Sequence, residues 1–132
     1  KESHLRRSTM IINKIKFSYK EADVQTNLFT PKHTLFKCKI KVDGLQYSFD
    51  FQCNTDHEMP NLLTCLNCLL LDMDCYEVTD GLLDFCTEFG YDEDKKGLKA
   101  YKSCKKRSKS LHRLFSDDEI NEIREELERE GY

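Results

Sequence analysis

The chain has 132 residues, of which 39% are hydrophobic and 34% are charged, and its formal net charge is −3. This length accommodates one domain with its own core, and the composition excludes a chain that is disordered throughout. No run approaches the roughly 18 apolar residues of a membrane span, and the N-terminal stretch lacks the apolar segment of a secretory signal, so we expect a soluble cytoplasmic protein that does not bind membranes.

The first segment with a regular pattern begins near Met10. Residues 1–9 are polar and patternless, so we interpret them as an expression tag or a flexible arm and assign residues 10–132 to a single α+β domain. Apolar residues then alternate with polar ones over residues 11–20, which predicts a half-buried strand. Residues 20–33 are polar and contain a proline, which predicts a loop.

The clearest local signal is a hairpin around Asp43-Gly44. Apolar residues alternate with polar ones over residues 34–42 and again over 45–53, and Asp-Gly favours a two-residue type I′ turn. That turn would pair Val42 with Leu45, and its register places the apolar side chains of both strands on one face and the lysines on the other. Together with the first strand, the hairpin predicts a three-stranded antiparallel sheet whose apolar face needs helices packed on it.

A long apolar helix and a short helix follow the hairpin. Residues 61–76 are apolar on most sides, so we expect the helix they form to be largely buried and to cover the sheet. The shorter helix, capped by Thr79 or Asp80, is expected to end at Gly90.

Two strongly charged helices complete the prediction. The third helix spans residues 94–114 and is basic apart from a stripe of apolar and small residues. The fourth is acidic, begins at a capping box formed by Ser116 and Glu119, and carries a narrow apolar stripe. This stripe would dock on the domain's own sheet or on a second copy, so the pattern allows a monomer or a homodimer. The predicted fold is α+β, with three to four helices packed on one face of the sheet.

Seven cysteines are scattered through the apolar pattern. Their odd number and their positions are typical of reduced core thiols and not of a disulfide framework. Cys65 and Cys68 are spaced like half of a zinc site, but they lie inside an apolar helix and lack a second pair. A metal site would need further ligands such as Cys75 and His57, which is the minority interpretation. We predict no metal and no cofactor.

The sequence lacks a constellation typical of catalysis. His33, His57 and His112 lie apart, and none of them neighbours a cysteine or serine in a recognisable nucleophile motif. A glycine-rich phosphate loop, a nucleophile elbow and a paired-histidine helix are all missing from the sequence. We therefore expect a protein that is not an enzyme.

The charges are strongly segregated along the chain. Residues 45–94 contain twelve acidic residues and no Lys or Arg, whereas residues 95–115 contain nine Lys or Arg and no acidic residue. Such local fields steer and select charged partners, so they indicate a binding protein before they indicate an enzyme.

Each charge block is a candidate binding surface. The acidic block has an electrostatic field like that of a phosphate backbone, so it could compete with nucleic acid for the basic groove of a partner protein. Its candidate residues are Asp72, Asp74, Glu77, Asp80, Asp84, Glu88, Asp92, Glu93 and Asp94.

The basic block could bind the phosphates of nucleic acid. Because most of its residues are lysines, attraction to the backbone is favoured over reading of the bases. Its candidate residues are Lys95, Lys99, Lys102, Lys105, Lys106, Arg107, Lys109 and Arg113. The alternative is that these charges provide solubility and helix caps, or neutralise each other within the fold.

One stretch of the chain resembles known proteins. Within residues 62–115 a Leu-Leu-x-Cys-Leu pattern is followed by Leu83-Asp84-Phe85-Cys86-Thr87-Glu88-Phe89-Gly90-Tyr91-Asp92-Glu93-Asp94, then by Lys99-Ala100-Tyr101 and a basic helix. This arrangement resembles a set of small uncharacterised proteins of bacteriophages and integrated mobile elements. The resemblance covers somewhat under half of the chain, and Phe85 stands where many of those proteins have Trp.

The resemblance implies a biological context and assigns no catalytic residues. In that context the protein is an accessory protein of a phage or prophage that acts in the cytoplasm of the bacterial host. Small phage proteins with strong charge blocks and no catalytic motif often inhibit host defence nucleases. The resemblance therefore implies a stoichiometric inhibitor of the anti-CRISPR type, whose partner is a host defence protein such as a CRISPR effector complex. The alternative function is a nucleic-acid-binding accessory protein that acts through the basic helix at residues 95–113.

Overall fold

The computed structural model describes residues 10–27, 30–54 and 59–132. These residues form an α+β fold, as predicted, with a three-stranded antiparallel sheet and five helices. In chain order the elements are α1 (Ile11–Lys14), β1 (Lys16–Asn27), β2 (Thr30–Val42), β3 (Leu45–Asn54), α2 (Leu62–Glu77), α3 (Leu82–Phe89), α4 (Lys95–Leu114) and α5 (Asp117–Arg129).

The hairpin of β2 and β3 has the predicted turn and register. Asp43 and Gly44 both have positive φ, at 49° and 81°, as a type I′ turn requires. Val42 pairs with Leu45, and the next three alternate pairs place apolar side chains on the same face: Ile40 with Tyr47, Cys38 with Phe49, and Phe36 with Phe51. Local turn chemistry therefore determines which residues of the hairpin enter the core.

The prediction for the first strand was wrong at both of its ends. Residues 11–14 form one helical turn, and β1 then continues to Asn27, so β1 and β2 extend into the region predicted as a loop. Register shifts between Glu21 and Asp23 and between Gln25 and Asn27 interrupt the ladder. A polar edge strand is stabilised by pairing with its neighbour, so its own composition gives little indication of its length. Residues 1–9, predicted to be a tag or an arm, lie outside the described residues.

Helices α2, α4 and α5 pack on the apolar face of the sheet. Their shared core includes fully buried side chains from the sheet and from each of the three helices: Phe36, Ile40, Leu66, Leu69, Leu111 and Ile123. Helix α2 supplies more buried core residues than α4 or α5, as its apolar pattern predicted. Helix α5 docks on the domain's own core, because Ile120, Ile123 and Leu127 are all buried there.

Helix α3 belongs to a second, smaller core. Phe85 and Cys86 pack with Cys104 of α4, and the ring of Phe85 lies 5.3 Å from that of Tyr101. The predicted cap of α3 was wrong, because the helix begins after Gly81 and no side chain in the described ranges caps it. The Thr79 hydroxyl instead donates to carbonyl oxygens at the end of α2.

Candidate charged binding surfaces

Helix α4 presents a straight line of basic side chains on the side opposite its buried face. With 3.6 residues per turn, positions separated by alternate steps of four and three residues lie on one side of a helix. Six residues follow this spacing and are exposed; we call them the lysine stripe: Lys95, Lys99, Lys102, Lys106, Lys109 and Arg113. Cys104, Ser108 and Leu111 lie on the opposite side and are buried. The stripe extends over about 27 Å at 1.5 Å per residue.

The start of α4 is fixed by a cap and by a close backbone approach. The Asp94 carboxylate accepts hydrogen bonds from the backbone N–H groups of Lys96, at 2.9 Å, and Gly97, at 3.1 Å, which satisfies two otherwise unpaired donors. A Cβ atom at Gly97 would lie only 2.2 Å from the carbonyl oxygen of Asp92. Glycine at this position therefore allows the preceding loop to pack directly on the helix.

Two arginines attach α4 to the edge of the sheet. Arg113 donates to the carbonyl oxygen of Gln46 at 2.8 Å, and Arg107 donates to that of Asp50 at 3.5 Å. Arg107 also pairs with the carboxylate of Asp72 on α2. Because β3 is an edge strand, these contacts cover part of its outer edge. Arg107 thus has structural partners, although the sequence placed it among the candidate contacts.

The first three residues of the predicted acidic surface have partners within the fold. Asp72 forms an ion pair with Arg107. Asp74 forms a bidentate salt bridge with Arg124 of α5, in which two guanidinium nitrogens lie 2.7 and 2.9 Å from the two carboxylate oxygens. Glu77 accepts from the Ser108 hydroxyl and lies 2.7 Å from Nε2 of His112. These carboxylates hold α2 to its neighbouring helices, which is the alternative that the sequence left open. Asp94, the last of the predicted set, is the cap of α4.

The remaining acidic candidates surround α3. Asp84 accepts from the backbone N–H of Asp80 at 2.9 Å. Glu88, Asp92 and Glu93 are exposed and form no ion pair with the other described residues. Leu83 directly precedes Asp84 on α3 and is 63% exposed. We call this region the acidic face: Asp80, Leu83, Asp84, Glu88, Asp92 and Glu93.

Within the described part of the chain, the lysine stripe has no compensating acidic partners. Among the residues that the structure describes, its five lysines take part in no ion pair, whereas Arg107 and His112 on the same helix do. Lys105 is half-buried beside the stripe. The charge block of α4 is therefore divided: a few groups hold the helix in place, and the aligned lysines face solvent.

The paired cysteines of α2 do not form an exposed reactive site. Cys65 is fully buried, and its thiol contacts Cys38 of β2. Burial raises the pKa of both thiols, which keeps them protonated and weakens them as nucleophiles and as metal ligands. Within the described ranges, no three His, Cys, Asp or Glu side chains are arranged to hold a metal ion. His57, the other suggested ligand, lies outside the described residues.

A second basic surface was missing from the sequence-derived candidates. Lysines of β1 and β2 share the outer face of the sheet, away from the helices. The alternation of Lys37, Lys39 and Lys41 with apolar residues was visible in the sequence, but their meeting with Lys16 and Lys20 depends on the pairing of β1, which the sequence did not determine.

Comparisons with known proteins found no matching family model, no similar curated protein and no similar solved structure. A search of the described helices found none with the length and apolar character required to cross a membrane.

Proposed function

We propose that this protein acts by binding rather than by catalysis, and that its main contact is made by the lysine stripe with the phosphate backbone of nucleic acid. The observation that carries the proposal is the alignment of exposed lysines on α4 without ion-pair partners among the described residues. A row of like charges is unfavourable in isolation and becomes favourable when a polyanion neutralises it and releases counterions. Lysine acts as a point charge, so the contact would be largely independent of base sequence.

Substitutions on two sides of the same helix test this proposal. We compare Lys102→Gln/Lys109→Gln, within the stripe, with Lys96→Gln/Lys105→Gln, which removes the same charge from its flanks. Binding to short duplex and single-stranded DNA and RNA is followed by fluorescence anisotropy between about 50 and 200 mM salt.

The stripe variant should bind more weakly and lower the slope of log affinity against log salt by about 1.8 for duplex DNA. The flank variant should change this slope by less than about half of the change caused by the stripe variant. Failure of the unmodified protein to bind any of these nucleic acids at the lowest salt would overturn the proposal, as would equal effects of the two variants.

The second candidate function is stoichiometric inhibition of a host defence nuclease through the acidic face. It is favoured by two observations on and after α3. Leu83 is 63% exposed, and Glu88, Asp92 and Glu93 lack ion-pair partners among the described residues. An exposed apolar side chain suits a protein contact, and the carboxylates would approach a groove that normally holds phosphates. The resemblance to phage proteins suggests a CRISPR effector complex as the partner.

Charge reversal tests this second function. Glu88→Lys/Asp92→Lys/Glu93→Lys should abolish binding to purified effector complexes, whereas Glu125→Lys/Glu128→Lys/Glu130→Lys on the exposed side of the C-terminal region should not. Asp84 is left unchanged because its carboxylate accepts the N–H of Asp80. Binding that survives the first set, or an absence of binding by the unmodified protein, would eliminate this candidate.

A further inference from the structure

The outer face of the sheet is a regular array of polar side chains. Cross-strand pairing places nine exposed residues in three rows. We call this array the lysine grid; its rows are Lys16, Lys41 and Gln46, then Ser18, Lys39 and Ser48, then Lys20, Lys37 and Asp50. Five of the nine carry a positive charge, and one carries a negative charge.

Like charges face each other directly in two of these rows. Lys16 is the partner of Lys41, and Lys20 is the partner of Lys37. Side chains at directly opposite positions of an antiparallel pair have Cβ atoms about 5 Å apart, and like charges there are destabilising. Only Lys37 has an acidic partner within the grid, because its Nζ lies 2.8 Å from Asp50. The face therefore retains an excess of closely spaced positive charge that an anionic partner would relieve.

The chemistry of the grid selects among anionic partners. Its side chains are charged or hydrogen-bonding, with no apolar or aromatic member that would enter a lipid interface. Ser18 and Ser48 supply hydroxyl donors beside Lys39, and a shallow depression follows this part of the face. Lysine, serine and glutamine are among the groups that contact phosphate and sugar oxygens in protein complexes with nucleic acid. Without aromatic groups for stacking, the grid would hold the backbone and not the bases.

The grid adjoins the element that carries the lysine stripe. The backbone carbonyl oxygen of Asp50 accepts a hydrogen bond from Arg107 of α4, and that of Gln46 accepts one from Arg113. One edge of the grid is therefore the strand to which α4 is attached. We propose that the lysine grid is a second phosphate-binding surface for nucleic acid. This inference rests on the proposed function and extends it from one helix to the sheet.

The test removes two central lysines of the grid. Lys39→Gln/Lys41→Gln is compared with the stripe variant Lys102→Gln/Lys109→Gln and with the flank control Lys96→Gln/Lys105→Gln, using the same duplex DNA and the same salt series. The grid variant should lower the salt slope by about 1.8, and combining it with the stripe variant should lower the slope by about twice that amount. Urea unfolding verifies that each variant is folded, and Lys39→Thr/Lys41→Thr, with its higher strand propensity, repeats the test if glutamine disturbs the sheet.

Each outcome separates the two proposals. A normal slope for the grid variant together with a reduced slope for the stripe variant would overturn the inference and leave the proposed function standing. The reverse result would support the grid and remove α4 as the main contact. Both proposals would be overturned if the protein did not bind nucleic acid and these lysines instead mediated binding to vesicles containing phosphatidylserine. Salt-sensitive self-association through these lysines, again without binding of nucleic acid, would also overturn both proposals.

Discussion

Gly97 shows how a single residue determines the position of the basic helix. It lies in the first turn of α4, where glycine is a poor helix former, yet it is buried against the loop that precedes the helix. A Cβ atom there would meet the carbonyl oxygen of Asp92 at 2.2 Å and the sulfur of Cys86 at 2.9 Å. Because a backbone oxygen cannot move aside as a side chain can, packing must outweigh helix propensity at this position.

Replacing Gly97 by alanine should therefore destabilise the protein. Alanine is favoured over glycine in a helix by about 1 kcal/mol, but the clash should reverse the sign and give a net loss of about 1–3 kcal/mol. Urea unfolding measures the difference. Ser103→Ala on the exposed side of the same helix is the control and should be neutral or slightly stabilising. A Gly97→Ala variant as stable as the unmodified protein would show that the loop does not hold the helix in this way.

Ion pairs between distant residues explain why the sequence could not separate structural charges from candidate binding surfaces. Asp72, Asp74 and Glu77 belong to the same acidic block as Glu88 and Asp92. The first three face neighbouring helices, and the last two face solvent. This division depends on how α2 packs against α4 and α5, which local spacing does not encode. The alignment of lysines along α4, in contrast, depends only on the helical repeat.

At the scale of whole elements, α5 is held by a narrow apolar stripe. Ile123 is 0% exposed and lies at the middle of the stripe. The sequence could not decide whether this stripe docks on the domain's own sheet or on a second copy, because both arrangements bury the same side chains. In the structure the stripe is buried in the shared core of the sheet and helices, so the attachment of α5 should contribute to the stability of the fold.

We expect Ile123→Ala to lower the free energy of unfolding by about 2–5 kcal/mol, because it removes buried atoms and leaves a cavity. Asn121→Ala, at an exposed position on the same helix, should change it by less than about 0.5 kcal/mol. Chemical unfolding followed by far-ultraviolet circular dichroism compares the two variants. A loss below about 1 kcal/mol for Ile123→Ala would indicate that α5 is not docked as described.

The elements themselves differ in how far their sequence determines them. The hairpin was predicted correctly because its register follows from two adjacent residues, Asp43 and Gly44, whose conformations the turn requires. Helix α5 was predicted from its capping box, which is equally local. The extension of β1 to Asn27 was missed, because an exposed, polar edge strand is stabilised by a partner strand that no local pattern specifies.

At the scale of the whole molecule, both hydrophobic cores contain buried, reduced cysteine thiols. Sheet and helix layers meet at Cys38 and Cys65 in the main core, and Cys104 lies in the second core. Burial raises the pKa of each of these thiols. Both cores therefore disfavour the charged thiolate form of their cysteines. Because the unfolded chain does not, the stability of the fold depends on pH.

The direction of that dependence follows from the raised pKa values. In the unfolded chain a thiol loses its proton near pH 8.5, whereas the folded chain retains it to higher pH. The contribution to stability is complete below about pH 8 and is lost as the pH rises above about 8.5 towards the folded pKa values. We expect the urea midpoint under reducing conditions to decrease as the pH is raised from about 7.5 to about 9.5.

Cys38→Ala/Cys65→Ala should lower the urea midpoint at every pH, because it creates a cavity, but should make the decline of the midpoint with pH shallower. A midpoint that does not change over this range would contradict the burial of these thiols, and an unchanged slope in the variant would assign the decline to other groups.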